Sequence, residues 1–165
     1  TARWTFHNLK ATERTGVELF AEQYLGKLRV NESFTYVNAK IKKVGDDVLT
    51  STTYNFKDGQ KIPGVPSTKV TLGLDYEIAD GLRTTANLNY YSSSVDTYNE
   101  KIPSYSTTDL GLKYKHQSGF GLNAGVKNVF NKKYNVAQGK DPLTGKTVYS
   151  PADERTYYIG ASYEF

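Results

Sequence analysis

The sequence alternates. Between Lys69 and Ile78 the apolar residues Val70, Leu72, Leu74, Tyr76 and Ile78 take every second place, with Lys69, Thr71, Gly73, Asp75 and Glu77 between them. A strand turns successive side chains to opposite faces, so this period predicts a ribbon with one greasy side and one wet side. The same period recurs along the chain. Residues 2–8 set Ala2, Trp4 and Phe6 against Arg3, Thr5 and His7. Residues 12–24 set Val17, Leu19 and Ala21 against Gly16, Glu18 and Glu22, with Phe20 interrupting the polar side. Residues 27–41 gather Leu28, Val30, Phe34 and Tyr36 on one face; Glu32 falls among them and predicts a bulge or a register shift. Further strands are predicted over 68–79, 82–91, 105–116, 120–130 and 154–165. The last places Tyr157, Ile159, Ala161, Tyr163 and Phe165 on a single face and ends the chain on an aromatic residue.

The connections sort by length. Tight turns are expected at 25–26, 79–81 and 117–119, two of them marked by glycine after a polar residue. Long polar loops are expected at 42–66, 92–104 and 135–153. Short and long connections alternate, so all the tight turns gather at one end of the strands. The strands themselves approach the roughly 9–11 residues that a tilted strand needs to cross a bilayer. Both features are expected of an all-β, antiparallel transmembrane barrel, with short periplasmic turns and long outer loops. Alternation does not say which face is inside. A self-contained eight-stranded membrane barrel and a soluble eight-stranded carrier of a small lipophile share this pattern.

Composition adds exclusions. The chain has 165 residues, 14 Tyr, 14 Gly, no Cys and no Met. Without cysteine there is no disulfide framework and no thiolate metal site. The mean hydropathy of −0.59 excludes a transmembrane helix but not barrel strands, which are only half apolar. The net charge of +4 is scattered and predicts no nucleic-acid surface. The chain opens directly on strand-like Trp4-Thr5-Phe6, which predicts a piece of a longer protein.

No catalytic or metal constellation emerges. Gly145-Lys146-Thr147 lacks the glycine that a phosphate-binding loop needs at position 140, which is Lys, and strand rather than helix is predicted to follow. His7 and His116 have no carboxylate at ligand spacing. Asp75 and Glu77 share a strand face, as a glycosidase pair would, but charged residues are ordinary on the wet side of a barrel. No Gly-x-Ser-x-Gly elbow is present. Tyr76, Tyr90, Tyr114, Tyr157 and Tyr163 continue the apolar stripes, and an interfacial aromatic girdle accounts for them better than base stacking does. No enzyme activity and no cofactor are expected.

The order of the segments resembles the C-terminal part of the TonB-dependent outer-membrane receptors. The resemblance is carried by Ile62-Pro63-Gly64-Val65-Pro66, Leu72-Gly73-Leu74-Asp75-Tyr76, Tyr90-Tyr91-Ser92 and Tyr105-Ser106-Thr107-Thr108-Asp109-Leu110-Gly111-Leu112. Gly125 to Tyr134, the closing stretch Arg155 to Phe165 and the upstream Gly16-Val17-Glu18 extend it. It implies a bacterial outer-membrane location, in contact with lipid and lipopolysaccharide, and the last eight strands of a 22-stranded barrel. It implies too that Tyr157, Ile159, Ala161, Tyr163 and Phe165 form the signal read by the barrel-assembly machinery. Such receptors import iron–siderophores, haem, cobalamin or sugars with energy that TonB delivers to a plug. The present sequence holds no plug, so its expected contribution is wall and three outer loops for capturing an iron chelate. Tyr98, Tyr105, Tyr149 and Arg155 lie in or beside those loops, and their rings and charge suit anionic, ring-bearing chelates.

Overall fold

The computed structural model describes residues 9–45, 56–141 and 143–165. The strand expected over 2–8 lies outside them. The described elements are all strands: β1 (Ala11–Leu25), β2 (Leu28–Lys43), β3 (Thr68–Ala79), β4 (Leu82–Tyr91), β5 (Ser94–Val95), β6 (Lys101–Ile102), β7 (Tyr105–Lys115), β8 (Phe120–Lys127), β9 (Asn135–Lys140), β10 (Thr147–Pro151) and β11 (Thr156–Tyr163). Seven of them form one antiparallel sheet in the order β1-β2-β3-β4-β7-β8-β11. Its outer strands β1 and β11 do not pair with each other, so the described strands make an open arc rather than a closed small barrel.

Tight turns join β1 to β2, β3 to β4 and β7 to β8, all at one end of the arc. Gly81 shows why glycine is required there. Its φ is +70°, and a Cβ would collide with the carbonyl oxygen of Lys115. That closeness lets Lys115 N–H donate to the Gly81 carbonyl, which ties the turn to β7.

The cross-strand rows keep the two faces apart. Leu19, Phe34, Val70 and Tyr90 form one row of the apolar face, and Leu74, Ala86, Leu110, Val126 and Tyr157 another. This face is uncovered, with Leu19 61% and Ile159 83% exposed. A contiguous apolar surface of this extent is not left to water in a monomeric soluble domain. The one cluster of fully buried apolar side chains among the described residues sits at the long-segment end, where Leu9, Phe56 and Ile62 pack on Ile41 and Val44.

Four expectations need correction. The register runs unbroken through Glu32, which pairs with Ala21 and Leu72, so the predicted bulge is absent. The side chain stays on the apolar face, and the backbone therefore makes no adjustment. The sheet shifts register elsewhere, between Ala11 and Thr12 and between Glu77 and Ala79. Second, the strand expected to reach residue 130 stops at Lys127. Asn128 turns to φ 50°, a left-handed conformation that asparagine tolerates, and its side chain bonds both the N–H and the carbonyl of Lys132. Third, the last strand is shorter at both ends than the expected 154–165. Fourth, the loops are not irregular throughout: 92–104 contains the ribbon β5–β6 and 135–153 the ribbon β9–β10. Residues 42–66 hold the end of β2 and, at Lys61, a bridge back to Lys40.

Candidate functional site

The polar face carries its densest chemistry at the long-segment end. Lys69, Tyr91 and Tyr105 occupy one cross-strand row. The rings of Tyr91 and Tyr105 stack with centroids 4.9 Å apart and planes 23° from parallel. Tyr134, from the segment after β8, lies on the other side of Tyr105 at 3.9 Å and 18°. At the far end the Lys69 ammonium stands 5.8 Å from the Tyr91 centroid. The result is a ladder of three rings ending in a cation, with each aromatic pair contributing about 0.5–1.5 kcal/mol beyond area burial. Burial holds the Tyr134 phenol above its ordinary range, with Tyr91, Asp109 and Asp153 adding to the effect. It therefore stays a neutral hydroxyl at neutral pH.

An open cavity of about 510 Å³ lies beside this ladder, lined among others by Asp109, Lys127, Tyr134 and Thr156. Its wall is set by the left-handed asparagines. Asn128 N–H donates to Asp109, its amide reaches the carbonyls of Lys132 and Asp153, and the Asn131 side chain accepts from Arg155 N–H. This net holds Tyr134 over Tyr105.

The long segments also brace one another. Asp96, 3% exposed, accepts from the N–H groups of Tyr98 and Glu100 at 2.9 and 2.8 Å and from the Gln138 amide at 3.3 Å. Lys140 pairs with Glu100 at 2.8 Å and lies 5.1 Å from the Tyr98 ring centroid. Glu100 holds the Lys140 ammonium above its usual range. Gly64 N–H donates to the Val95 carbonyl, so the segment before β3 leans on the first ribbon as that ribbon leans on the second.

The four sequence candidates separate. Tyr105 is the middle ring of the ladder. Tyr98 sits in the β5–β6 turn under Lys140. Tyr149 lies on β10 opposite Gln138, exposed and away from the stack. Arg155 is tied by its backbone, and its side chain is exposed. Sequence reasoning missed Lys69, Tyr91 and Tyr134. Tyr91 follows Tyr90 and so points to the opposite face, which the strand period does signal. Tyr134 carries no such mark.

At the short-turn end of the same face, Asp75 sits between two arginines, with Arg83 Nε at 2.8 Å and an Arg29 amine at 3.3 Å. Arg29 also approaches Glu22, and Arg83 approaches Glu77. Asp75 and Glu77 are thus members of an ion-pair belt. Among the described residues no group of His, Cys, Asp or Glu is arranged to hold a metal ion.

The family model "TonB dependent receptor-like, beta-barrel" matches residues 1–129. The chain belongs to that family. Beyond the matched span, β11 continues the same sheet by pairing with β8. A 47 kDa outer membrane protein of Pasteurella multocida is 26% identical over 151 residues, which cover 88% of this chain and 31% of the relative. The ferric citrate transporter FecA, unliganded, superimposes with a TM-score of 0.75 and 26% identity, over 93% of this chain and 24% of that one. The ferric yersiniabactin uptake receptor FyuA from Yersinia pestis gives 0.74 and 19%, again over 93% and 24%. The chain therefore spans about a third of the curated relative and about a quarter of these structures.

Membership in this receptor-barrel family places the chain in the bacterial outer membrane. It removes the soluble-carrier alternative, and the matched proteins are receptors and transporters rather than enzymes. In a barrel of this family the apolar face meets lipid and the polar face lines the lumen.

Proposed function

We propose that this chain builds a section of wall and the outer mouth of a TonB-dependent receptor that imports an iron chelate or a comparable ring-bearing nutrient. The observation that carries the reading is the ladder Lys69–Tyr91–Tyr105–Tyr134, placed on the lumen face where the strands open into the outer segments. Tyr134 ends the stack at the cavity and offers a ring there, which suits an anionic chelate with aromatic or conjugated groups. Lys127, at the adjoining cavity, adds a second cation. Transport would require the remaining wall, a plug inside the lumen and TonB acting on that plug. Tyr157, Ile159, Ala161, Tyr163 and Phe165 would serve as the face read by the barrel-assembly machinery, and the outward Tyr rings would sit among lipid and lipopolysaccharide.

The test uses the full-length receptor. Binding of ferric citrate, a ferric catecholate, haem and cobalamin is measured by quenching of intrinsic fluorescence, alone and with Tyr105→Ala or Tyr134→Ala. A ferric chelate is expected to bind, with affinity falling about tenfold in Tyr134→Ala, which removes the stacking ring, and in Tyr105→Ala, which removes the ring that supports it. Selective binding of haem or cobalamin would reassign the cargo. Binding that neither variant changes would remove the ladder from the site.

A further inference from the structure

The turn after β8 asks for a left-handed residue at 128, where the chain has φ 50°, and glycine would serve at no steric cost. Asn128 stands there instead, 5% exposed and with its amide fully engaged. The amide nitrogen donates to the Lys132 carbonyl at 2.9 Å and to the Asp153 carbonyl at 3.4 Å, and the amide oxygen accepts from Lys132 N–H at 2.8 Å. The backbone N–H of Asn128 donates to Asp109, also at 2.8 Å. Glycine would keep the turn and that last bond. What glycine cannot supply is the amide, which joins the segment entering β9 to the segment entering β11. Tyr134 lies just beyond Lys132, and its ring ends the stack at the cavity. Among the described residues its phenol makes no hydrogen bond, so the backbone has to place the ring. The Tyr134 carbonyl accepts from Ala152 N–H at 3.0 Å, and the Asn131 side chain accepts from Arg155 N–H at 2.8 Å, which tethers the same two segments again. Asp109 shares β7 and its polar face with Tyr105, so the clamp is anchored on the strand that carries the supporting ring.

We infer that Asn128 is a positioning residue for cargo: through Lys132 and Asp153 it fixes the Tyr134 ring over Tyr105, with its free face toward the cavity. Both amide hydrogens are used in the clamp, so Asn128 acts on the ligand through Tyr134. Without the amide, Lys132 N–H loses its acceptor and the link to Asp153 is gone, and the ring is free to leave the stack. The inference rests on the stacking role proposed for Tyr134 and adds the residue that sets its geometry.

The experiment uses the full-length receptor in mild detergent and the same four ligands: ferric citrate, a ferric catecholate, haem and cobalamin. Asn128→Gly keeps the left-handed turn and removes the amide. Asn99, left-handed at φ 62° and exposed between β5 and β6, takes the same change as a control. Asn128→Gly is expected to weaken the ligand that binds about tenfold, and Asn99→Gly by less than about twofold. Added to Tyr134→Ala, Asn128→Gly is expected to cost less than about a further twofold, because the ring it positions is already gone. A purely structural loss would add in full. Ring placement is read without ligand by fluorine NMR, with Tyr134 labelled as 3-fluorotyrosine. Its resonance in Asn128→Gly is expected to move toward the position it takes in Tyr105→Ala, where the stack is absent. Full affinity in Asn128→Gly overturns the inference. So does a double variant about tenfold weaker than Tyr134→Ala, an equal loss in Asn99→Gly, or a fluorine resonance that stays in place. Failure of the stacking reading looks different: Tyr134→Ala then leaves every ligand's affinity intact, and the cargo role of Asn128 falls with it.

Discussion

The ring of Tyr158 lies across Gly125, so closely that a Cβ on the glycine would stand 2.5 Å from the tyrosine hydroxyl oxygen. The same hydroxyl lies 3.2 Å from where a Cβ would stand on Gly111, one strand further on. Glycine in a strand interior weakens it, and an aromatic ring laid over the gap restores the lost packing. Gly125→Ala should therefore destabilise the barrel by about 1–3 kcal/mol, as overpacking does. Trimming the ring with Tyr158→Ala should not rescue it, because the new Cβ would also meet the Leu110 carbonyl oxygen at 2.5 Å. Urea unfolding of the detergent-solubilised receptor measures both.

Asp75 neutralises two guanidiniums at once. With Asp75→Ala, Arg29 and Arg83 lose their shared partner and keep only the longer approaches to Glu22 and Glu77. The expected loss is about 1–2 kcal/mol, at the low end for charged hydrogen bonds because both arginines stay substantially exposed. A double-mutant cycle with Arg83→Ala in the same unfolding assay should show clear coupling.

Asp96 is the knot of the long segments. Asp96→Ala leaves the N–H groups of Tyr98 and Glu100 without their side-chain acceptor, and their hydrogen exchange should speed up about tenfold or more. Asp96→Asn keeps one carbonyl oxygen in place and should show a smaller change at the same amides.

The β9–β10 turn should loosen in acid. Asp141 accepts from the N–H groups of Leu143 and Thr144, and these bonds hold its carboxyl below the usual carboxylate range. A depressed folded-state value means the contribution is complete above about pH 4, the ordinary aspartate value, and is lost as pH falls through the lower value of the folded turn. Amide shifts of Leu143 and Thr144 should follow this titration, and Asp141→Asn should abolish it.

The sheet is legible in the sequence because its signal is local. Leu72 and Leu74 announce their face through neighbours two places away, whatever the rest of the chain does. The end of β8 is not, since Asn128 reads as one more strand residue until Asp109, from another strand, captures its N–H. The ladder is half legible. Tyr91 and Tyr105 show their face by parity, but their stacking depends on register between β4 and β7, and Tyr134 arrives through a turn with no period. Glu32 stands out in the sequence as an exception that suggests an adjusted backbone. The backbone runs through it with its register unbroken.

The long segments lean on one another in chain order, from Gly64 to Val95, from Asp96 to Gln138, and from Glu100 to Lys140. Grafting one foreign segment would cut these ties. Recombination that keeps residues 60–140 in one block therefore preserves the whole collar, where a single-segment transplant would leave a torn one.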